Sequence, residues 1–398
     1  MAIYTWWNEI SGIYLWGNLV TSVYKWNTEV RSASLGPLCF TANTAGSTIN
    51  ITKVSSPTHI SLEVSTDWNT WTAYTYGTNI TLTNIWDKVY WRNPSSTMTA
   101  FSKNSSNYYK FVMTGSIKAS WDVTYLLCNT GTTTLYDAQY ASIRDYCFCY
   151  LFRDCTSLTE APSLPVTTLV SSCYYGMFQG CTWLTTAPKL PATTLTTSCY
   201  YYMFNGCTWL TTAPELPATT LASSCYMYMF NGCTWLTTAP ELPATTMASQ
   251  CYGYMFQGCT WLTTPPELPA TTMANNCYYY MFLACTWLTK APKLSATTLA
   301  NYCYSHMFMS CSNLEELPEL PATEMKNYCY YYMFQNCSKI KLSSTQTWEY
   351  QTAYRLPSTG TWTSAGSWNS YMFQNTWWTF KSGPTINTTY YTSNTVVS

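Results

Sequence analysis

Residues 199–224 read CYYYMFNGCTWLTTAPELPATTLASS, and residues 225–250 repeat them as CYMYMFNGCTWLTTAPELPATTMASQ. The same unit opens at Cys147, Cys173, Cys251, Cys277, Cys303 and Cys329, and a second cysteine follows each of these first ones eight residues later. A fixed period of 26 residues marks a solenoid, in which each unit buries its apolar face on its neighbours. Within a unit, Leu195, Cys199 and Met203 recur at a spacing of four with Phe204 beside them, which predicts one apolar helical face. Thr193 or Thr194 is placed to cap that helix, and Gly206 to end it in a left-handed conformation. Cys207–Thr211 then reads as a short strand, with Cys207, Trp209 and Thr211 on one side by alternation. The expected unit is one short strand and one short helix.

Composition narrows the function. The chain has 398 residues, 47% of them apolar and only 9% charged, with zero net charge; an ordinary soluble chain carries about 25% charged residues. Without a basic run there is nothing to neutralise phosphates, so no nucleic-acid partner is expected. No apolar run is long enough to span a membrane. The opening MAIYTWWNEI lacks the basic and apolar regions of a secretory signal peptide.

Outside the array the pattern changes. Residues 1–34 hold three short units, IYTWWNEI from Ile3, IYLWGNLV from Ile13 and VYKWNTEV from Val23. Each fits a strand-turn-strand too small to stand alone. They read either as an attachment segment for a virion or cell-envelope structure or as a local β-cap on the next domain. Residues 35–127 contain short alternating runs rich in Val, Ile, Thr and Tyr, separated by turn residues. This predicts an all-β, Ig-like sandwich, with a hairpin turn at Ser65–Asn69. Residues 128–340 carry the array, whose repeats begin near 146. Residues 341–398 break the period but echo it at Tyr371–Thr376, as a cap would.

The array resembles the BspA-like class of leucine-rich repeats, on the residues Met203-Phe204, Gly206-Cys207 and Leu210 and their counterparts in the other units. The sandwich and the C-terminal stretch are similar to segments that accompany such arrays in gut-bacterial and bacteriophage-encoded surface proteins. The resemblance implies a leucine-rich solenoid that binds surfaces or matrix without catalysis.

Two sets of columns carry what chemistry there is. Nineteen cysteines include the paired columns Cys173/Cys181, Cys199/Cys207, Cys225/Cys233, Cys251/Cys259 and Cys277/Cys285. They read as small buried apolar groups. Disulfides between the columns stay open, because a spacing of eight does not establish the required geometry. Close Cys/His pairs of the zinc type are missing apart from Cys147 and Cys149, so neither metal nor cofactor is expected. His306 sits in a slot filled by Tyr280 and Tyr332 and reads as a tolerated surface variant, not a catalytic base. No catalytic residues are assigned, and the chain is read as a non-enzyme.

The aromatic columns point to binding. Trp183, Trp209, Trp235, Trp261 and Trp287 recur at one position. Facing outward, such a ladder suits a host-surface protein or a glycan; facing inward it is core. The column Tyr174, Tyr200, Tyr226, Tyr252, Tyr278, Tyr304 and Tyr330 offers a second contact surface. Lys189, Glu215, Glu241, Glu267, Lys293 and Glu319 form a charged column that should face solvent, since aligned glutamates repel. Trp68, Trp86 and Trp121 stand at turn positions that favour glycine, and the similar sequences usually carry glycine there and also at Trp377-Trp378. Some of these tryptophans are therefore open to being reassigned codons. The expected function is non-enzymatic surface recognition or adhesion, on a cell surface, outside the cell or on a virion as a phage appendage. The alternative is a structural or matrix-forming surface protein without a specific ligand.

Overall fold

The computed structural model describes residues 13–15, 18–20, 36–55, 57, 60–95, 102–129, 145–315, 318, 320–322, 325–340, 371–372 and 374–375. Among these the fold is mostly β, with a single short 3-10 helix at Val123–Leu126 and no α-helix. No helix among the described residues is long and apolar enough to cross a membrane.

The unit IYLWGNLV forms an antiparallel hairpin, β1 (Ile13–Leu15) and β2 (Asn18–Val20), with Ile13 opposite Val20. The units at Ile3 and Val23 lie outside the described residues, as do His59, Glu319, Trp377-Trp378 and most of the C-terminal cap.

Eight strands come next: β3 (Leu38–Ala42), β4 (Ser47–Val54), β5 (Glu63–Ser65), β6 (Thr72–Ala73), β7 (Ile80–Leu82), β8 (Lys88–Arg92), β9 (Tyr108–Thr114) and β10 (Ile117–Ser120). A three-stranded sheet has the order β7-β4-β9. The other sheet runs β10-β3-β8-β5-β6 and is extended at β10 by β11 (Leu158–Glu160). The alternation in β4, with Ser47, Ile49 and Ile51 buried and the residues between them less so, is what a half-buried strand requires. The sheets meet at aromatic contacts: the Phe40 and Phe111 rings are 4.9 Å apart and the Trp91 and Phe111 rings 5.3 Å. The β5–β6 hairpin closes through Asp67. Its carboxylate accepts from the backbone N–H groups of Thr70 (2.7 Å) and Asn69 (2.9 Å) and from the Ser65 hydroxyl (3.0 Å). These bonds, that from Thr70 foremost, pull its pKa down to about 2.

The array grows directly out of this sandwich. β11 belongs to the first coil and pairs in parallel with β10. The Phe111 N–H donates to Leu151 O (2.8 Å), and the Cys155 thiol donates to Phe111 O (3.2 Å). The Phe111 ring stacks on Phe152 at 5.3 Å, and Phe152 stacks on Phe178 at the same distance. The core is therefore one continuous body from sandwich to array, and the sandwich covers the end of the first coil.

Within the array, the structure corrects the expected helix. In residues 196–207 the N–H groups of Cys199, Tyr201, Met203, Asn205 and Cys207 each bond the carbonyl three residues back, at 3.0–3.3 Å. The N–H groups between them, on Ser198, Tyr200, Tyr202, Phe204 and Gly206, cross to carbonyls of the next coil at 2.7–3.1 Å. Ser198, Tyr202 and Gly206 have φ of 52°, 58° and 73°. A positive φ at the third residue of a hydrogen-bonded turn is the type II signature. The segment is thus a run of overlapping turns that repeats every four residues and hydrogen-bonds sideways. A four-residue turn period and a 3.6-residue helix place the same side chains inward over so short a stretch, so the spacing alone does not separate them. Thr193 and Thr194 cap no helix, and Gly206 takes the left-handed conformation without ending one.

The expected strand at Cys207–Thr211 is also corrected. No strand forms over Cys207–Thr211; just after it the coils touch through single parallel bridges, such as Thr186 to Thr212 and Thr238 to Thr264, each displaced by one unit. Cys207 is fully buried while Trp209 is 55% exposed, so they do not share a side. Inside each coil, Cys, Met, Phe and Leu columns are buried. The phenylalanine rings from Phe152 to Phe334 stack at 5.3–5.7 Å with planes within 8°. Each such ring contributes roughly 2–3 kcal/mol through removal from water. At the far end, Phe334 N–H donates to Met372 O and Asn336 N–H to Gln374 O, so the C-terminal echo lies against the last full coil.

Candidate functional site

The tryptophan column faces outward. Trp183, Trp209, Trp235, Trp261 and Trp287 are 42–58% exposed. The backbone positions them coil by coil: the N–H of Trp209 donates to Thr182 O at 3.2 Å, that of Trp235 to Thr208 O, that of Trp261 to Thr234 O and that of Trp287 to Thr260 O. Successive rings from Trp209 to Trp287 stack with centroids 5.9, 5.4 and 5.1 Å apart and planes within 21°. Each inner indole therefore turns its faces toward its neighbours and its edge toward solvent. The edge is the electropositive part of the ring. At the next coil Asn313 takes the place of tryptophan, and its side-chain amide donates to Thr286 O.

Exposed threonines flank the ladder. Thr185, Thr211, Thr237, Thr263 and Thr289 form one column, and Thr186, Thr212, Thr238 and Thr264 the next. In that second column Glu160 precedes the threonines and Lys290 follows them, both exposed, and the sequence continues the column with Glu316. Further along each coil, Lys189, Glu215, Glu241, Glu267 and Lys293 are exposed as well.

The cysteine columns face inward. All nineteen cysteines are free and buried. In the second column, Cys181, Cys207, Cys233, Cys259, Cys285, Cys311 and Cys337 donate to phenylalanine carbonyls of the preceding coil at 2.9–3.1 Å. The first column, with Cys173, Cys199, Cys225, Cys251 and Cys277, is equally enclosed. Burial pushes these thiols up, Cys199 and Cys277 to about 12. A thiol held protonated is a poor nucleophile and a poor metal ligand. Among the described residues no three His, Cys, Asp or Glu side chains gather into a metal site.

Two expectations about aromatics are overturned. Tyr174, Tyr200, Tyr226, Tyr252, Tyr278, Tyr304 and Tyr330 are only 1–2% exposed and stack at 5.7–5.9 Å. They are core, not a contact surface, because the turn ladder directs this position inward beside the cysteine. His306 is not a surface variant. It is 8% exposed and stacked between Tyr280 (4.1 Å) and Tyr332 (5.0 Å), with Nδ1 2.8 Å from the Ser305 hydroxyl.

One ladder escaped the sequence reading, and another was read only at Tyr280, His306 and Tyr332. Tyr202, Tyr228, Tyr254, Tyr280, His306, Tyr332 and Tyr371 form a stack, half-buried at Tyr202 to Tyr280 and Tyr332, buried at His306 and exposed at Tyr371. The amides of Gln179, Asn205, Asn231 and Gln257 bond one another at 2.7–3.1 Å. Both recur at a fixed slot in the unit, so aligning every repeat by slot shows the amide column and the full length of the tyrosine column, though not that its rings stack.

A second aromatic group lies on the sandwich, where Trp68 packs against Trp121 (5.1 Å), Tyr90 (5.0 Å) and Trp71 (6.3 Å). Arg92 lies 4.0 Å over Trp71 and pairs with Glu63 at 2.8 Å. Trp68, Trp86 and Trp121 all have positive φ, between 66° and 74°. No protein-family model, curated protein or solved structure matches the chain.

Proposed function

We propose that the chain is a non-enzymatic surface-recognition protein: a β-sandwich carrying a leucine-rich solenoid of the BspA-like kind, with residues 1–34 as its attachment segment. It acts outside the cell, on a cell surface or on a virion, and its partner is a host-surface protein or glycan. The observation that carries this reading is the outward ladder of Trp183, Trp209, Trp235, Trp261 and Trp287. An exposed aromatic stripe of this extent on a folded chain marks a contact surface. The enclosure of every described thiol and of His306 also favours binding over catalysis, since it leaves these groups out of reach of a substrate.

The test is binding of the full chain to immobilised glycans, extracellular-matrix proteins and whole cells. Saturable binding to one of these, lost in Trp209→Ala/Trp235→Ala, supports the reading. Binding that the double variant leaves unchanged removes the ladder from it. A second reading, a structural surface protein that associates laterally, is favoured by one observation: the tryptophan and threonine columns between Glu160 and Lys290 carry no charge.

A further inference from the structure

We infer that the tryptophan ladder takes an extended, neutral, 1,4-linked glycan laid along the axis of the array, one sugar ring per coil. The inference rests on the surface-recognition reading and narrows its partner to one chemical class.

Pitch comes first. Trp209, Trp235, Trp261 and Trp287 stack at 5.9, 5.4 and 5.1 Å, and a backbone bond at each rung ties it to the coil before it. A ligand that meets several rungs at once must advance by the same step. An extended peptide advances about 3.3 Å per residue, and so about 6.7 Å between side chains on one face, which loses register after a few rungs. Single bonds of about 1.5 Å make a pyranose, linked through opposite corners of its ring, advance roughly 5 Å per sugar. That step keeps pace with the coils.

Sameness points the same way. Four successive coils read CTWLTT, from Cys181, Cys207, Cys233 and Cys259. Identical rungs suit a polymer of identical units. A folded protein surface does not repeat, and it would gain nothing from rungs that do.

The chemistry of the rungs then fits sugar oxygens. The inner indoles cover one another's faces and present their edges, the electropositive part of the ring. Among the described residues, the Nε1–H groups of the five tryptophans make no hydrogen bond, and the hydroxyls of Thr186, Thr212, Thr238 and Thr264 make none either. These are donors in rows, and a glycan carries ether and hydroxyl oxygens along its whole length to accept from them. An α-helix also repeats near this step, at about 5.4 Å per turn. Its backbone carbonyls already accept bonds within the helix, so it would cover this row of donors and leave them unpaired.

Charge selects among glycans. From Trp209 to Trp261 the ladder and the threonine columns beside it carry no charge, so nothing there would offset the cost of drying a carboxylate or a sulfate. The exposed column further along each coil, Glu215, Glu241 and Glu267, would repel an acidic sugar.

The experiment is isothermal titration calorimetry of the full chain with β-1,4-linked oligomers of glucose, N-acetylglucosamine, mannose and xylose, two to six sugars long. Oligomers of α-1,4-linked glucose, whose linkage curls the chain, are the control. The expected result is that one of the β-1,4 series binds, its affinity rising roughly fivefold per added sugar, as one net hydrogen bond each would give, until the oligomer spans the ladder. Trp235→Ala, at mid-ladder, should weaken binding of the six-sugar oligomer roughly tenfold or more. Trp235 is exposed, and retained protection of the buried thiols reports that the variant is folded. Failure of all four β-1,4 series to bind overturns the proposal, as does binding that neither grows beyond two sugars nor responds to Trp235→Ala. Equal binding of the α-1,4 series overturns the extended register. A chain that takes none of these glycans and still binds cells through Trp209 and Trp235 keeps the recognition reading and gives the ladder to a protein instead.

Discussion

The Cys207 thiol donates to the Phe178 carbonyl at 3.1 Å, joining the second cysteine of one coil to the phenylalanine of the coil before it. The same bond recurs along the column, so these thiols are protonated donors in a dry interior. Native protein should therefore resist iodoacetamide at its array cysteines near pH 8, and all should react once guanidinium unfolds the chain. Mass spectrometry of labelled peptides reads this directly. Rapid native labelling of Cys199 or Cys207 would contradict the burial described.

His306 should make the array acid-sensitive. Burial between Tyr280 and Tyr332 lowers its pKa from 6.5 to about 4. The folded state thus holds this imidazole neutral where the unfolded chain would protonate it. Its contribution is complete above pH 6.5 and is lost as the pH falls toward 4, by up to about 3 kcal/mol. His306→Tyr matches the tyrosines above and below it in the column. It should flatten the stability profile between pH 6.5 and 4 in denaturant titrations, while leaving stability near pH 8 little changed. An unchanged profile would mean that His306 is hydrated or protonated in the fold.

Most of the fold was legible in the sequence because its determinants are local or periodic. The strand runs around Ile49 and Phe111 alternate, and alternation means a half-buried strand, while those around Phe40 and Tyr90 are short apolar runs buried through consecutive residues. The cysteine and tryptophan columns come from the repeat itself. The expected helix fails because Leu195, Cys199 and Met203 recur at four, a spacing that a helix and a ladder of four-residue turns share. The positive φ at Ser198 and Tyr202 and the N–H groups that cross to the next coil separate the two, and neither residue type announces them. The burial of Tyr200 was hidden for the same reason: its direction depends on the turn, not on its polarity. The outward aim of Trp209 was undecidable in sequence, where alternation placed it with Cys207.

Position 284 offers a test of the turn ladder. Gly180, Gly206, Gly232 and Gly258 occupy one slot at φ of 71–74°, and Ala284 occupies the same slot at 58°. A left-handed alanine costs about 1–2 kcal/mol, offset in part by the larger chain entropy that glycine loses on folding. Ala284→Gly should raise stability by roughly 0.5–1 kcal/mol, and Gly232→Ala should lower it by a similar amount. If the slot were right-handed, both signs would reverse, since glycine then only adds chain entropy to be lost. Chemical denaturation of the two variants decides whether the slot is left-handed.

Trp86 allows the strained tryptophans to be tested with little packing at stake. It has φ 74° and is 67% exposed, and the Lys118 ammonium lies 5.5 Å over its ring. Trp68, by contrast, is wedged against Trp121 and Tyr90, so its removal mixes strain with lost packing. Replacing Trp86 by alanine keeps the left-handed strain, and replacing it by glycine releases it. Trp86→Gly should be more stable than Trp86→Ala by about 1 kcal/mol, and at least as stable as the tryptophan form. That order would mean that the turn is built for glycine. Peptide sequencing of protein from its native source would then show which residue the position carries there. The reverse order, with alanine above glycine, would mean that the turn relaxes without strain and that tryptophan belongs at the position.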